Sequence, residues 1–192
     1  MRTKWRAGKS MAEYLSRMKG SGRAPRTKWS RTGLMDSVWA WIGSAIGVGL
    51  CAYLSSRFFE PGDVTLLLGS FGASAVLVYG AIKSPLAQLR NLVGGHLISS
   101  LIGVACYQIV DVVWVAAALA VSLAIVAMVL TDTVHPPGGA TALIAVIGGE
   151  QVHNLGFLYT LMPTGVGVII LLIVALIVNN LSRNRRFPDY WF

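Results

Sequence analysis

The sequence predicts an all-α integral membrane protein of about six transmembrane segments, arranged as two inverted three-helix repeats with the second and fifth segments broken into half-helices. Three observations carry that reading. The 192 residues are 55% hydrophobic and 12% charged, with a mean hydropathy of +0.64, whereas an ordinary soluble domain is about 25% charged. Apolar runs long enough to cross a bilayer alternate with short polar connections. Finally, one hexapeptide recurs. Gly72-Ala73-Ser74-Ala75-Val76-Leu77 matches Gly139-Ala140-Thr141-Ala142-Leu143-Ile144, 67 residues further on, as Gly, Ala, hydroxyl, Ala, aliphatic, aliphatic.

Residues 1–37 form a basic segment, 38–182 the transmembrane domain and 183–192 a short tail. The net charge is +8, yet ten of the sixteen Lys and Arg precede residue 38. Such a bias places the N-terminus, and with it the tail bearing Arg183, Arg185 and Arg186, in the cytoplasm. Trp5, Ala12, Leu15 and Met18 fall loosely on one side of a short amphipathic helix suited to an anionic leaflet. Gly20 to Pro25 is a flexible connection, and no cleavage site follows it, so the segment reads as retained. A nucleic-acid partner calls for aromatics interleaved on a folded platform. Only Trp5, Tyr14 and Trp29 are present among these cations, so nucleic acid is excluded and the bilayer is the partner.

The first span runs from Val38 to Phe58, with Trp39 and Trp41 at the interface and Gly43-x-x-x-Gly47 spaced for close helix contact. After a turn at Glu60-Pro61-Gly62-Asp63, the run Val64 to Ile82 is interrupted at Gly69-Ser70-Phe71-Gly72. Lys83, Ser84-Pro85 and Arg90 connect it to the third span, Asn91 to Val110, which holds Gly94, Gly95 and His96. Asp111 marks a turn, and Val112 to Thr131 is the least polar run. The broken segment Asp132 to Ile147, a polar turn at 148–154 and the span Tyr159 to Leu181 complete the membrane part. Four full crossings with both broken segments packed otherwise satisfy the same charge bias. Cys51 and Cys106 lie in apolar spans without CxxC spacing and read as small buried side chains.

The stretch Asp132-Thr133-Val134-His135-Pro136-Pro137-Gly138-Gly139 combines a charge, an imidazole, two prolines and two glycines between apolar runs. Prolines cannot continue a helix but fit its first turn, so a half-helix starts here and spans about half a bilayer. With the matching start at Gly72, two helix N-termini face each other near the midplane. Their unpaired N–H groups and positive dipole ends suit a small anion. The candidate substrate-binding residues are therefore Gly72, Ala73, Ser74, Gly138, Gly139, Ala140 and Thr141. His96, His135 and Asp132 are candidates for a proton-linked or gating step, because imidazole titrates near neutrality, and Asp132 is a candidate partner of Arg90. Asp132 and His135 lack a third metal ligand, so neither a metal nor any other cofactor is expected. No Ser-His-Asp order, phosphate loop or close carboxylate pair supports an enzyme.

Three pieces together resemble the HPP family of integral membrane proteins. They are Gly69 to Ala75 continuing through Ser84-Pro85-Leu86-Ala87-Gln88-Leu89-Arg90-Asn91 to Gly94-Gly95-His96, then His135-Pro136-Pro137-Gly138-Gly139-Ala140-Thr141-Ala142-Leu143, and Asn180 to Arg186 with Pro188, Tyr190 and Trp191. The likeness covers nearly the whole chain. It departs at Leu89, where the family usually has proline, and at Gly138, where another small residue often stands. The resemblance implies transmembrane transport or channel-like passage of a small anion, nitrite being the solute associated with some plant and cyanobacterial relatives. The alternative is a membrane scaffold or sensor subunit with no transport of its own. A bacterial inner membrane is the expected location. The expected assembly is a homo-oligomer, dimer or trimer.

Overall fold

The computed structural model describes residues 31–59 and 61–190. The amphipathic helix and flexible connection expected before residue 26, and Trp191 at the far end, lie outside them. The described chain is helical: α1 (Arg31–Ser55), α2 (Pro61–Ala75), α3 (Leu89–Ile109), α4 (Val113–Leu130), α5 (Pro136–Ile147), α6 (Glu150–Leu155) and α7 (Val166–Leu181). Wider π-helical turns extend α2 through Val76–Gly80 and precede α7 at Thr160–Gly165. Among the described residues, four helices are long and apolar enough to cross a membrane: Gly33–Ser55, Leu89–Ile109, Val113–Leu130 and Thr160–Leu181. Between the members of each outer pair lies a shorter apolar helix, Leu67–Gly80 and Pro136–Ile147.

The expected break at Gly69-Ser70-Phe71-Gly72 is absent, because α2 runs unbroken from Pro61 to Ala75. Glycine and serine weaken a helix by at most about 1 kcal/mol and keep their N–H donors. Pro61 supplies the start instead, at the first helical position where proline costs nothing. The chain leaves the helix only at Ala81. The second expected break is present: α4 ends at Leu130, Asp132 adopts a positive φ of 54°, and α5 starts after His135. A further break, unforeseen, falls at Met162, whose extended backbone precedes Pro163.

Packing follows side-chain size. Ala116, Ala120 and Ala124, at i, i+4 and i+8 on α4, are buried, while Leu119, Leu123 and Val126 face outward, the polarity expected of a helix with lipid on one side. α3 and α5 lie side by side. Gly95 faces the His135 side chain and Gly138 faces the Gly95 carbonyl, each so closely that a Cβ would come within 2.5 and 2.8 Å of those atoms. The Gly43-x-x-x-Gly47 face, spaced for close contact, receives the ring of Tyr79 from within the same chain, and Tyr79 donates its hydroxyl proton to the Leu171 carbonyl at 3.0 Å.

The end of the bundle that carries the tail is tied by side chains. The last carbonyls of α2 and its π turn have no helical partners. Asn179 donates to Val78 O at 2.8 Å, and the Arg185 guanidinium donates to the carbonyls of Tyr79 and Asp36 and to Asn179 Oδ1. A cation at a helix C-terminus also opposes the helix dipole favourably. Burial pulls the pKa of Arg185 below its ordinary value, and the negative charge of Asp36 opposes that shift. The tail is thus folded back, with Arg185, Phe187 and Pro188 buried.

Candidate functional site

The π turn and the loop after α2 bring a second set of polar groups beneath the tail. Ser84 accepts from the Leu86 N–H and is followed by Pro85, which together fix a short turn over Pro85–Ala87. Gln88, fully buried, donates to the carbonyls of Ile82 and Ser84 and accepts from the Asp189 N–H. This clamp sets the position of the Leu86 carbonyl. Across from it, Asn91 donates to Val134 O at 2.9 Å, satisfying a carbonyl that the break before α5 leaves without a helical partner.

His135 stands at the N-cap of α5 but makes no capping bond with its side chain. Its ring turns inward, with Nδ1 2.8 Å from the Leu86 carbonyl and Nε2 2.9 Å from Ser74 Oγ. The same Ser74 oxygen is 2.7 Å from His96 Nε2. His96 Nδ1 is in turn 2.7 Å from Thr141 Oγ1, and Thr141 lies 3.2 Å from Ser70 Oγ. Ser70, Ser74, His96, His135 and Thr141 are each at most 2% exposed. The two rings lie 5.1 Å apart, centre to centre, and Phe71 packs 6.1 Å from His96. Tyr159 closes the far side by donating to the Thr141 carbonyl at 3.2 Å.

One imidazole, His96 on α3, is therefore gripped at both ring nitrogens by Ser74 and Thr141, the two hydroxyls at matching places in the repeated hexapeptide. Polar side chains are expensive among membrane helices and mark function there. Here each is hydrogen-bonded, as buried polar groups must be to be tolerated.

The expected site residues divide. Ser74, Gly138 and Thr141 are buried with His96 and His135, while Ala73 is exposed and Gly72, Gly139 and Ala140 are partly exposed. Nothing lies within 4 Å of a Cβ built on Gly72 and only Val121, at 3.9 Å, near Gly139, so neither glycine serves a close approach. The cradle of two facing helix starts is not formed. Gly72 lies inside α2. At the head of α5, Pro136 and Pro137 have no N–H, and Gly138 donates to His135 O at 2.8 Å. Asp132 and Arg90 are both exposed, and among the described residues they form no ion pair. Sequence reasoning missed Ser70, Tyr159 and the Leu86 carbonyl. Ser70 had a legible signal, standing one helical turn before Ser74. A backbone carbonyl has none.

A family model described as the HPP transmembrane region matches residues 30–188. Two transmembrane proteins of Dictyostelium discoideum are similar over 184 residues: one is 46% identical, covering 94% of this chain and 58% of the relative, and the other 41% identical, covering 94% and 64%. The chain thus spans about three fifths of the length of these curated relatives. No solved structure matches it. The match over most of the length, together with apolar helices gathered round the His135-Pro136-Pro137 break, makes this chain a member of the HPP family of integral membrane proteins.

Proposed function

We propose that the chain moves a small anion across the membrane, with nitrite the first solute to test, and that it is not an enzyme. The observation that carries the reading is the grip on His96 by the paired hydroxyls Ser74 and Thr141. Inverted-repeat transporters place their sites where two related segments meet near the bilayer midplane, and the long, short, long order of apolar helices on either side of residue 111 fits such a repeat. An imidazole that has gained a proton offers an anion a counter-charge. The ring contacts are enclosed, so passage requires α2, α3 and α5 to part. Residues Gly72, Ala73, Gly139 and Ala140 border that opening rather than cradle the solute, and no metal or cofactor takes part.

In this reading the tail end faces the cytoplasm. The bacterial inner membrane is one location that fits, and the Dictyostelium relatives add eukaryotic membranes. A homodimer or homotrimer would bury the apolar groove between α3 and α4, lined by Cys106, Ile109, Leu119 and Leu123 among others. The test is flux of nitrite, formate and chloride into liposomes holding the purified chain. Saturable flux that Thr141→Val reduces by about tenfold, the loss of roughly one hydrogen bond, supports the proposal. Absence of flux for all three anions, with a stable partner recovered on purification, favours the scaffold or sensor reading.

A further inference from the structure

The buried chain of hydrogen bonds has a direction. Leu86 ends it with a backbone carbonyl, which only accepts, so His135 Nδ1, 2.8 Å away, carries a proton. In a neutral ring Nε2 is then a bare lone pair, and Ser74 must donate to it. Ser74 has one proton and has spent it. At its other contact it accepts, so His96 carries its proton on Nε2. His96 Nδ1 is bare in turn and receives the proton of Thr141, whose oxygen also lies 3.2 Å from Ser70 Oγ and 3.3 Å from the Pro137 carbonyl. One carbonyl thus fixes two tautomers and two hydroxyl orientations, those of Ser74 and Thr141, all pointing toward the tail end.

We infer that this chain is a proton relay loaded at Thr141 and gated by the Leu86 carbonyl, with H⁺ as the ion coupled to transport. Its use rests on the transport reading above; its geometry does not. A proton reaching Thr141 Oγ1 lets the hydroxyl's own proton pass to His96 Nδ1. His96 gives its Nε2 proton to Ser74, and Ser74 gives its original proton to His135 Nε2. Each bond to hydrogen that breaks is matched by one that forms, the incoming proton adds one more, and the single positive charge ends on His135.

The Leu86 carbonyl cannot carry a proton further. Release from Nδ1 requires it to withdraw, and it cannot return while Nδ1 is bare, because two lone pairs would then face each other. The turn held by Ser84, Pro85 and Gln88 is accordingly the gate, and the protonation of His135 decides when it closes. The groups facing the two rings are Phe71 and Ser74 from α2 and Thr141 from α5, with Tyr159 donating to the Thr141 carbonyl. Among the described residues no Asp, Glu, Lys or Arg side chain is bonded to either ring. A charge on His135 therefore has no fixed counter-ion, and a bound anion supplies one.

Two measurements on the full chain carrying His153→Gln, which removes the third imidazole, test this. Nitrogen-15 histidine spectra in lipid at pH 8 are expected to show one Nδ1–H and one Nε2–H tautomer, with Thr141→Val shifting the signals of the second. Two like tautomers overturn the direction of the chain. In liposomes enclosing a pH dye, an inward nitrite gradient is expected to drive proton uptake above that of protein-free vesicles. Ser74→Ala should reduce it by about a hundredfold, the scale of a lost proton-transfer group, and Ser74→Thr should restore it. Nitrite flux without protein-dependent proton uptake overturns the relay and leaves the transport reading standing. Should no anion move at all, the transport reading fails, and the spectra alone decide the direction.

Discussion

Helices α2 and α5 carry matching Gly-Ala-hydroxyl-Ala runs and each brings its hydroxyl to the same imidazole, yet one runs through the position where the other begins. The difference lies three residues before the match. Where α5 has Pro136-Pro137-Gly138, α2 has Gly69-Ser70-Phe71. Proline removes a donor and collides with the preceding turn, so it can stand only at a helix start. Glycine and serine keep every donor. Two matching runs can therefore serve one site while one lies in a continuous helix and the other in a helix starting inside the bundle, about 9 Å deeper than the start of α3 if His135 lies level with Gly95.

The sharpest way to break this contrast is to give α2 the residue of α5. Ser70→Pro puts proline in a helix interior and is expected to cost about 3 kcal/mol or more, measured as lost monodisperse protein in detergent. The reciprocal Pro137→Ser should be tolerated far better, since serine fits a first helical turn. Gly138→Ala comes next. Its Cβ would lie 2.8 Å from the Gly95 carbonyl and the Ser99 hydroxyl, and overpacking of that kind costs about 1–3 kcal/mol, read as a lower thermal midpoint. Thr141→Val leaves His96 Nδ1 buried without its donor and is expected to cost about 1–3 kcal/mol, a smaller loss than in a dry site if water enters. Gly72→Ala and Gly139→Ala should be smallest, neutral or stabilising by up to about 1 kcal/mol, because both stand in helices beside open space. A marked loss from Gly72→Ala would mean that α2 does not run through that position.

Most of the architecture was readable from hydropathy. The four long spans fall within a few residues of the expected ones apart from α1, which starts at Arg31 rather than Val38, because apolar length is a direct consequence of bilayer thickness. His135, Ser74 and Thr141 were readable too, since an imidazole or a hydroxyl stands out in lipid. What the sequence concealed were backbone effects. Glycine at residue 69 reads as a helix break, although only proline forces one, and hydropathy gives no sign of the kink that Pro163 makes before α7. The role of Arg185 was hidden for another reason. A cation next to a membrane span ordinarily reaches for the interface, and nothing local says that carbonyls left over by a distant helix will claim it.

That claim has a consequence for how the chain is made. The groups capping the end of α2 are synthesised about a hundred residues after it, Arg185 following Tyr79 by 106 positions. At about 5–20 residues per second, roughly 5–20 seconds pass on the ribosome in which those carbonyls must rely on water or headgroups. Insertion machinery that handles this chain thus receives a second helix whose C-terminal end cannot settle until synthesis has passed the seventh, and the bundle closes from the tail inward.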